Sequence, residues 1–334
     1  MPASLVDIRL FVAAYEERSF TLAAVREHAT QSGVSQHIAR LEHVMGVRLF
    51  TRANGRIAPT PAAATYYTGC LEVLRAYEAA NAGLAGLAGA LSGEVSIGLM
   101  PTMTRSALAP ALGRFTARHP NVGVRIVEAY SGVLTREVRA GAFDFAIVPA
   151  FAGGPGVRVR PFLSTPETLV SRRGGNGPTR GIAHMTPVAL GGLGPLELVL
   201  PGPDNARRQT LCTYFETHGV KIARTIELDA MMGTLDYIAG SDWVTILPGV
   251  MMAADVREGR RATTPFQVNP IAAPPLNLDL VVIEPARRAL SPAAAAFYAI
   301  LEAETRGLNA LWQNAGITLS PVPGGARVRR RATA

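Results

Sequence analysis

The sequence predicts an α/β protein that carries an all-helical unit at its N-terminus and a long helix between the two. Three observations predict it. Val34, Ile38, Leu41 and Met45 recur at i, i+4, i+7 and i+11, one apolar stripe along a helix. Residues 61 to 92 place apolar side chains at alternating spacings of four and three. From Gly93 onward, short apolar runs alternate with helical patterns, as in a sheet covered by helices.

A first helix is expected to start at Ser4, where Ser4 and Asp7 form a capping-box-like pair with Asp in place of Glu. Leu5, Ile8, Phe11, Val12 and Tyr15 make its inner face. Residues 19 to 52 read as two short helices joined by a tight turn. Thr21 is the expected N-cap of the first, and Ala23, Ala24 and Val25 are small or apolar where the second must cross closely. The second carries the Val34 stripe and ends at Gly46. Ser32, Gln36 and His43 fall on its opposite face, flanked by Ser35 and Arg40, with no acid until Glu42. Small polar side chains and amides at a helix start suit base edges in the DNA major groove, and arginine suits phosphate or guanine.

Val47, Arg48, Leu49 and Phe50 follow as a short extended run, and Asn54-Gly55 is a two-residue hairpin signal. Arg48, Arg52 and Arg56 surround that turn. A basic hairpin after a helix-turn-helix is a wing, placed to touch the phosphate backbone or minor groove. The alternative, a small helical bundle with a solvated polar face, does not account for the wing.

Tyr66, Cys70, Val73, Tyr77, Ala80, Leu84, Leu87 and Leu91 form a seam that needs a partner helix. A second copy of the chain is the economical partner, because a dimeric reader matches two half-sites. Gly83, Gly86 and Gly89 weaken that helix. Strands are then expected at 95–100, 122–128, 143–148, 196–200, 244–247 and 278–283. Helices are expected around 105–118, 132–140, 205–218, 231–240 and 291–305. Residues 172 to 195, rich in Gly and broken by Pro178, Pro187 and Pro195, read as a loop or weakly structured crossover. The last residues, with Arg327, Arg329, Arg330 and Arg331, read as a basic disordered tail.

The chain has 334 residues, 48% of them hydrophobic, enough for two or three domains with a sizeable core. A formal net charge of +8 and a pI near 10.1 favour anionic partners without choosing among them. Lys221 is the only lysine, and genomic base composition accounts for most of that arginine bias. No apolar run approaches a membrane span, and the first twenty residues, with Asp7, Glu16 and Glu17, lack a signal-peptide pattern. Cys70 and Cys212 form neither a metal nor a CxxC spacing. These features point to the reducing cytoplasm. The histidines show no ligand spacing, so neither metal nor cofactor is expected.

The stretch FVAAYEERSFTLAAVREHATQSGVSQHIARLEHVMGVRLFTR resembles the winged helix-turn-helix of LysR-type transcriptional regulators almost position by position. LSGEVSIGLMPT and RFTARHPNVGVRIVEAYSGVLTREVRAGAFDFAIV resemble the opening of that family's effector-binding domain. The resemblance covers roughly residues 5 to 312. It implies a C-terminal domain with a type 2 periplasmic-binding-protein fold: two α/β lobes joined by crossover strands around a ligand cleft. The implied layout is a DNA-binding domain at 1–60, a linker helix at 61–92 and an effector domain at 93–312. Lobe I would hold 93–163 and 269–312, lobe II 164–268, and the tail 313–334. It also implies a dimer of dimers on partly palindromic promoter DNA, with RNA polymerase as a partner. Carried over residue by residue, Gln31, Ser35 and Gln36 are base readers and Arg52 and Arg56 serve the wing; Ser32 and Arg40 complete the expected DNA surface. Many relatives have Arg where Gln36 stands and Gly where Ala64 stands, which leaves the DNA preference open. A weaker similarity, through LSGEVSIG and RALSPAAAAF, is to the nitrogen assimilation control branch.

In a two-lobed α/β domain the ligand sits beyond the carboxyl ends of strands, at helix N-termini. That logic selects Thr102, Met103 and Thr104 after the strand at 95–100, Ser131 after 122–128 and Phe151 after the third strand. In the other lobe it selects Asn205, Met231 and Pro248. Each hydroxyl or amide is equally explained as a plain N-cap. Met103, Tyr130, Phe151, Met231 and Met232 suggest an apolar wall, hence an aromatic or branched organic acid. Two other classes compete: a solute-binding protein, permitted by the α/β domain alone, and a redox-sensing regulator using Cys212, the only cysteine in that domain. An enzyme is not expected, for want of a GxSxG elbow, a supported His/Asp/Ser order or a metal set.

Overall fold

The computed structural model describes residues 3–53, 56–86, 91–257 and 263–317. The chain divides into two compact units. The first holds Met1–Ala90 together with Gly153–Arg158 and Glu284–Pro292; the second holds the remainder.

In the first unit, α1 (Leu5–Glu17) starts at a complete capping box: the Ser4 hydroxyl accepts the Asp7 N–H, and the Asp7 carboxylate accepts the Ser4 N–H. Next come α2 (Phe20–Arg26) and α3 (Gln31–Met45). The N-cap of α2 is Ser19, whose hydroxyl accepts the Leu22 N–H, so Thr21 lies inside a helix that begins earlier than expected. Ala23 and Ala24 are buried at the crossing, but Val25 turns outward and is 70% exposed. Val34, Ile38 and Leu41 are buried against Phe11, Val12 and Leu49, with Met45 packed at the margin. Gly46 ends α3 at φ +67, a left-handed conformation that glycine adopts without a Cβ clash.

Strands β1 (Phe50–Ala53) and β2 (Arg56–Pro59) then pair antiparallel, with Ala53 opposite Arg56. That register leaves the two residues expected to turn, Asn54 and Gly55, which lie outside the described residues. Glu42 fastens this hairpin to α3 by accepting the N–H groups of Leu49 and Phe50 at 2.7 and 3.0 Å.

Helix α4 (Pro61–Gly86) buries Ala63, Tyr67, Cys70 and Leu74 against this core. The stripe differs from the expected seam. Of the seam residues, Cys70 is buried and Tyr66 packs at its edge, whereas Val73 and Tyr77 are 45% and 48% exposed. One face of α4 closes its own unit and an adjacent face carries the exposed seam. The side chain of Leu84, and Leu87 altogether, lie outside what is described. The two late segments join this unit through polar contacts. The Tyr67 hydroxyl donates to Glu16 and accepts the Gly156 N–H, while Glu27 accepts from Arg9 and from Arg287.

The second unit is one mixed sheet in the order β4-β3-β5-β11-β6-β9-β7-β8, with β10 paired to β6. Its strands are β3 (Gly93–Leu99), β4 (Val122–Glu128), β5 (Phe145–Pro149), β6 (Val157–Arg172) and β7 (Leu196–Leu200). The remainder are β8 (Ile222–Glu227), β9 (Val244–Pro248), β10 (Phe266–Pro270) and β11 (Asn277–Pro285). β3 runs parallel to β4 and β5, and β7 parallel to β8 and β9. These two parallel halves are the lobes, and β6 and β11 are the neighbouring strands that join them. The helices are α5 (Pro101–Met103), continuing through a π turn at Thr104–Leu108 into α6 (Ala109–Arg118), then α7 (Ser131–Ala140) and α8 (Ala206–Thr217). α9 (Met231–Gly240), α10 (Gly249–Val256) and α11 (Pro292–Asn314) complete it. Four of these elements, β6, β8, β10 and α10, are additional to those expected.

The Gly-rich stretch after Arg172 corrects another expectation, because it is held firmly. Gln267 Nε2 donates to the carbonyls of Thr179 and Ile182, and Asn269 Nδ2 donates to those of Ala183 and Thr186, both at 2.8 Å. Asn269 is fully buried. Asn269→Ala is expected to cost about 2–4 kcal/mol, because it removes three hydrogen bonds, one of them accepted from Gln267 Nε2, and strands two carbonyls. A shift in the thermal transition of the purified protein measures this; an unchanged transition would mean the loop contributes nothing.

Candidate functional site

Helix α3 is set by an acid on another helix. Asp7 is 1% exposed, and its carboxylate takes Ser4, His37 (Nδ1 to Oδ1, 2.5 Å) and Arg40. Burial alone raises such a carboxyl, but the hydrogen bonds from Ser4, His37 and Arg40 outweigh it and hold Asp7 far below the usual carboxylate range. Arg40, expected on the DNA surface, is therefore committed to Asp7 as a strut between α1 and α3. Gln31, Ser32 and Gln36 are exposed on one face. Ser35 is half-buried in a groove shared with Phe20, Ala39 and Thr51. Thr30 caps α3 by accepting the Gly33 N–H at 3.1 Å, leaving Gln31 at its first turn. Arg48 pairs with Glu42 at 3.2 Å. Arg52 and Arg56 stand on β1 and β2, and their side chains lie outside what is described.

The second unit holds a pocket lined by Thr102, Tyr130, Ser131, Asn205, Arg207 and Met231, with Met100, Leu200, Leu228 and Leu247 among its apolar members. Four helix starts converge on it. Those of α5, α7 and α9 have no side-chain cap, whereas Asn205 caps α8 by accepting the Arg207 N–H at 3.0 Å. Asn205 is thus a true cap that also lines the pocket. The hydroxyls of Thr102 and Ser131 have no hydrogen-bond partner among the described residues, so capping does not explain them. Uncapped N–H groups, unpaired hydroxyls and the positive ends of helix dipoles suit an anionic or strongly accepting ligand.

Half of the expected effector residues fall elsewhere. Met103 is fully buried, one position round the helix from Thr102, and belongs to the core. The Thr104 hydroxyl is taken by Glu128. β5 and β9 run on to Pro149 and Pro248. Phe151 therefore lies two residues past its strand on the surface, and Pro248 is buried where α10 begins. Met232, expected in the apolar wall, is 68% exposed. Thr234, in the same helix opening as Met231, lines the pocket too, as do Arg207 and Thr245, which escaped the sequence reasoning. Cys212 is half-buried on α8 beside Arg208, its sulfur 3.3 Å from Nε. Burial pushes the Cys70 thiol up to about 11, away from reactivity.

A winged helix-turn-helix joined to a two-lobed domain, with a pocket on which four helix starts converge, defines a DNA-binding regulator with an effector-binding domain. Residues 5–64 match the bacterial regulatory helix-turn-helix protein family of lysR type, and residues 88–306 match the LysR substrate binding domain. The chain belongs to the LysR family of transcriptional regulators. It is 28% identical to the nitrogen assimilation regulatory protein nac of Klebsiella aerogenes over 89% of this chain and 94% of that one. It is 29% identical to the transcriptional activator protein LysR of Escherichia coli, over 67% and 70% of the two chains. Among solved structures, an OxyR mutant from Corynebacterium glutamicum shares the fold with a TM-score of 0.55 at 20% identity, covering 96% and 97% of the chains. Among the described residues, no helix is long and apolar enough to cross a membrane.

Proposed function

We propose that this regulator reads partly palindromic promoter DNA with Gln31, Ser32, Ser35 and Gln36 of α3, while Arg52 and Arg56 hold the phosphate backbone. Residues 1–60 act as the DNA-binding domain, 61–92 as the linker and 93–312 as the effector domain. The effector is a small organic acid bound at Thr102, Ser131, Asn205 and Met231, and its binding changes how the protein holds DNA and meets RNA polymerase. The observation that carries the effector assignment is the pair of unpartnered hydroxyls among uncapped helix starts.

Gln36→Ala is expected to weaken binding to the cognate promoter by about 1–3 kcal/mol, the worth of a good amide–base contact. Binding to unrelated DNA stays unchanged. Fluorescence anisotropy on both DNAs tests this, and equal loss on both would remove Gln36 as a base reader. The exposed Val73 and Tyr77 give α4 its partner surface. Tyr77→Glu is expected to shift the assembly to smaller species in sedimentation, since a charge in an apolar seam is costly. An unchanged distribution would place the partner surface elsewhere.

A further inference from the structure

We propose that Arg207, held by Glu167, sets which acids this pocket accepts: it grips one carboxylate oxygen, and the compensated pair admits a monoacid with an apolar body and disfavours a diacid. This rests on the organic-acid assignment above and extends it to a residue and a charge state.

The guanidinium lies in the pocket wall and Arg207 is 8% exposed. Glu167, on β6, is 3% exposed. Nε donates to Glu167 Oε1 at 3.1 Å, and Nη2 donates to Oε1 and Oε2 at 2.8 Å and to the Ile246 carbonyl at 3.1 Å. Every bond of the guanidinium among the described residues thus uses Nε or Nη2, and Nη1 keeps its N–H groups unused. The fork that normally clasps a carboxylate is occupied by Glu167, so the remaining contact is end-on, to a single oxygen. Orientation is fixed in advance, because the pair is buried and bidentate.

The charge count follows from the same pair. Among the described residues Arg207 is the only charged one in the pocket wall, and Glu167 behind it cancels that charge. What remains positive is the ends of the helices that open on the pocket, enough to favour one negative charge. A second carboxylate would lie near Glu167 with no cation to offset it. Met100, Leu200, Leu228 and Met231 give the body of the ligand an apolar seat.

The test is calorimetric titration of the full-length protein with two matched series. One is phenylacetate, phenylmalonate and phenylacetamide; the other is 4-methylpentanoate, isobutylmalonate and 4-methylpentanamide. Each series holds the apolar body fixed while adding a carboxylate or removing the charge. The expected result is that at least one monoacid binds and that its diacid and amide bind at least tenfold more weakly. In Glu167→Gln the gap between monoacid and diacid narrows at least tenfold, a change that mere loss of packing does not produce. In the double variant Glu167→Gln with Arg207→Met, which leaves no lone buried charge, the monoacid binds at least tenfold more weakly, while the helix ends keep a residual preference for acid over amide; its thermal transition verifies folding. Monoacid affinity unchanged in the double variant, or a diacid preferred by the natural protein, would overturn the inference while leaving the organic-acid assignment standing. If no acid of either series binds, both fall together.

Discussion

Arg207→Met is expected to cost about 3–5 kcal/mol of stability, the typical penalty for breaking a buried ion pair from one side. The substitution keeps much of the apolar stem but leaves the Glu167 carboxylate, 3% exposed, without the cation that compensates it. The Ile246 carbonyl also loses its donor. Replacing both partners, as in the Glu167→Gln and Arg207→Met double variant, removes the uncompensated charge. It should recover most of the loss, since exchanging a buried pair for uncharged groups of similar volume is often close to neutral. Thermal unfolding of the single and double variants decides between the two costs. A single variant no less stable than the double would show that the carboxylate is not stranded, and with it the role of Glu167 in orienting Arg207 would fail.

Asp7→Asn is expected to cost about 2–3 kcal/mol locally, because it replaces charge-assisted bonds to His37 and Arg40 by neutral ones. The change keeps the shape of the side chain and removes what draws α3 onto α1. Hydrogen exchange on the full-length protein should show faster opening of amides in α1 and α3, with the amides of the C-terminal sheet unaffected. Uniform acceleration or none would refute the strut. The pH dependence follows in sign from the same group. The folded carboxyl ionises far below its ordinary value of 3.8, so the folded state binds fewer protons than the unfolded one. The stabilisation is complete above about pH 5 and is lost progressively as pH falls through 4 toward 2. Asp7→Asn should flatten that acid limb of the exchange profile.

The sequence made the first unit legible because its cues are local. The 3.6-residue period of Val34, Ile38 and Leu41, the capping box at Ser4 and the glycine at 46 each act within a few residues, and each is where the pattern put it. Arg40 misled for the converse reason: its partner Asp7 lies 33 residues away, and spacing carries no trace of that bond. β6 was hidden by its own composition. Pro161 and Pro166 inside VRVRPFLSTPETLVSR argue against a strand, and the strand tolerates them in its passage between the two lobes. In β10, Gln267 and Asn269 alternate with Phe266 and Val268 as though facing solvent, but all are buried, because the Gly-rich loop supplies carbonyls for the two amides.

The pocket divides along the same line. Thr102, Ser131, Asn205 and Met231 were found because they stand where strands give way to helices, a place that chain order reveals. Met103 and Thr104 were their neighbours in sequence but point to the core and to Glu128. Arg207 was missed because its meaning depends on Glu167, 40 residues away on the strand the prolines concealed.

The most direct test of the account is a footprint of the purified protein on DNA from upstream of its own gene, titrated with salt and repeated with Gln36→Ala. The account predicts a protected site of dyad symmetry, a binding constant falling steeply with salt, and loss of protection at that site alone in the variant. Protection that ignores sequence, or that survives Gln36→Ala unchanged, would contradict the assignment of α3 as the reading helix.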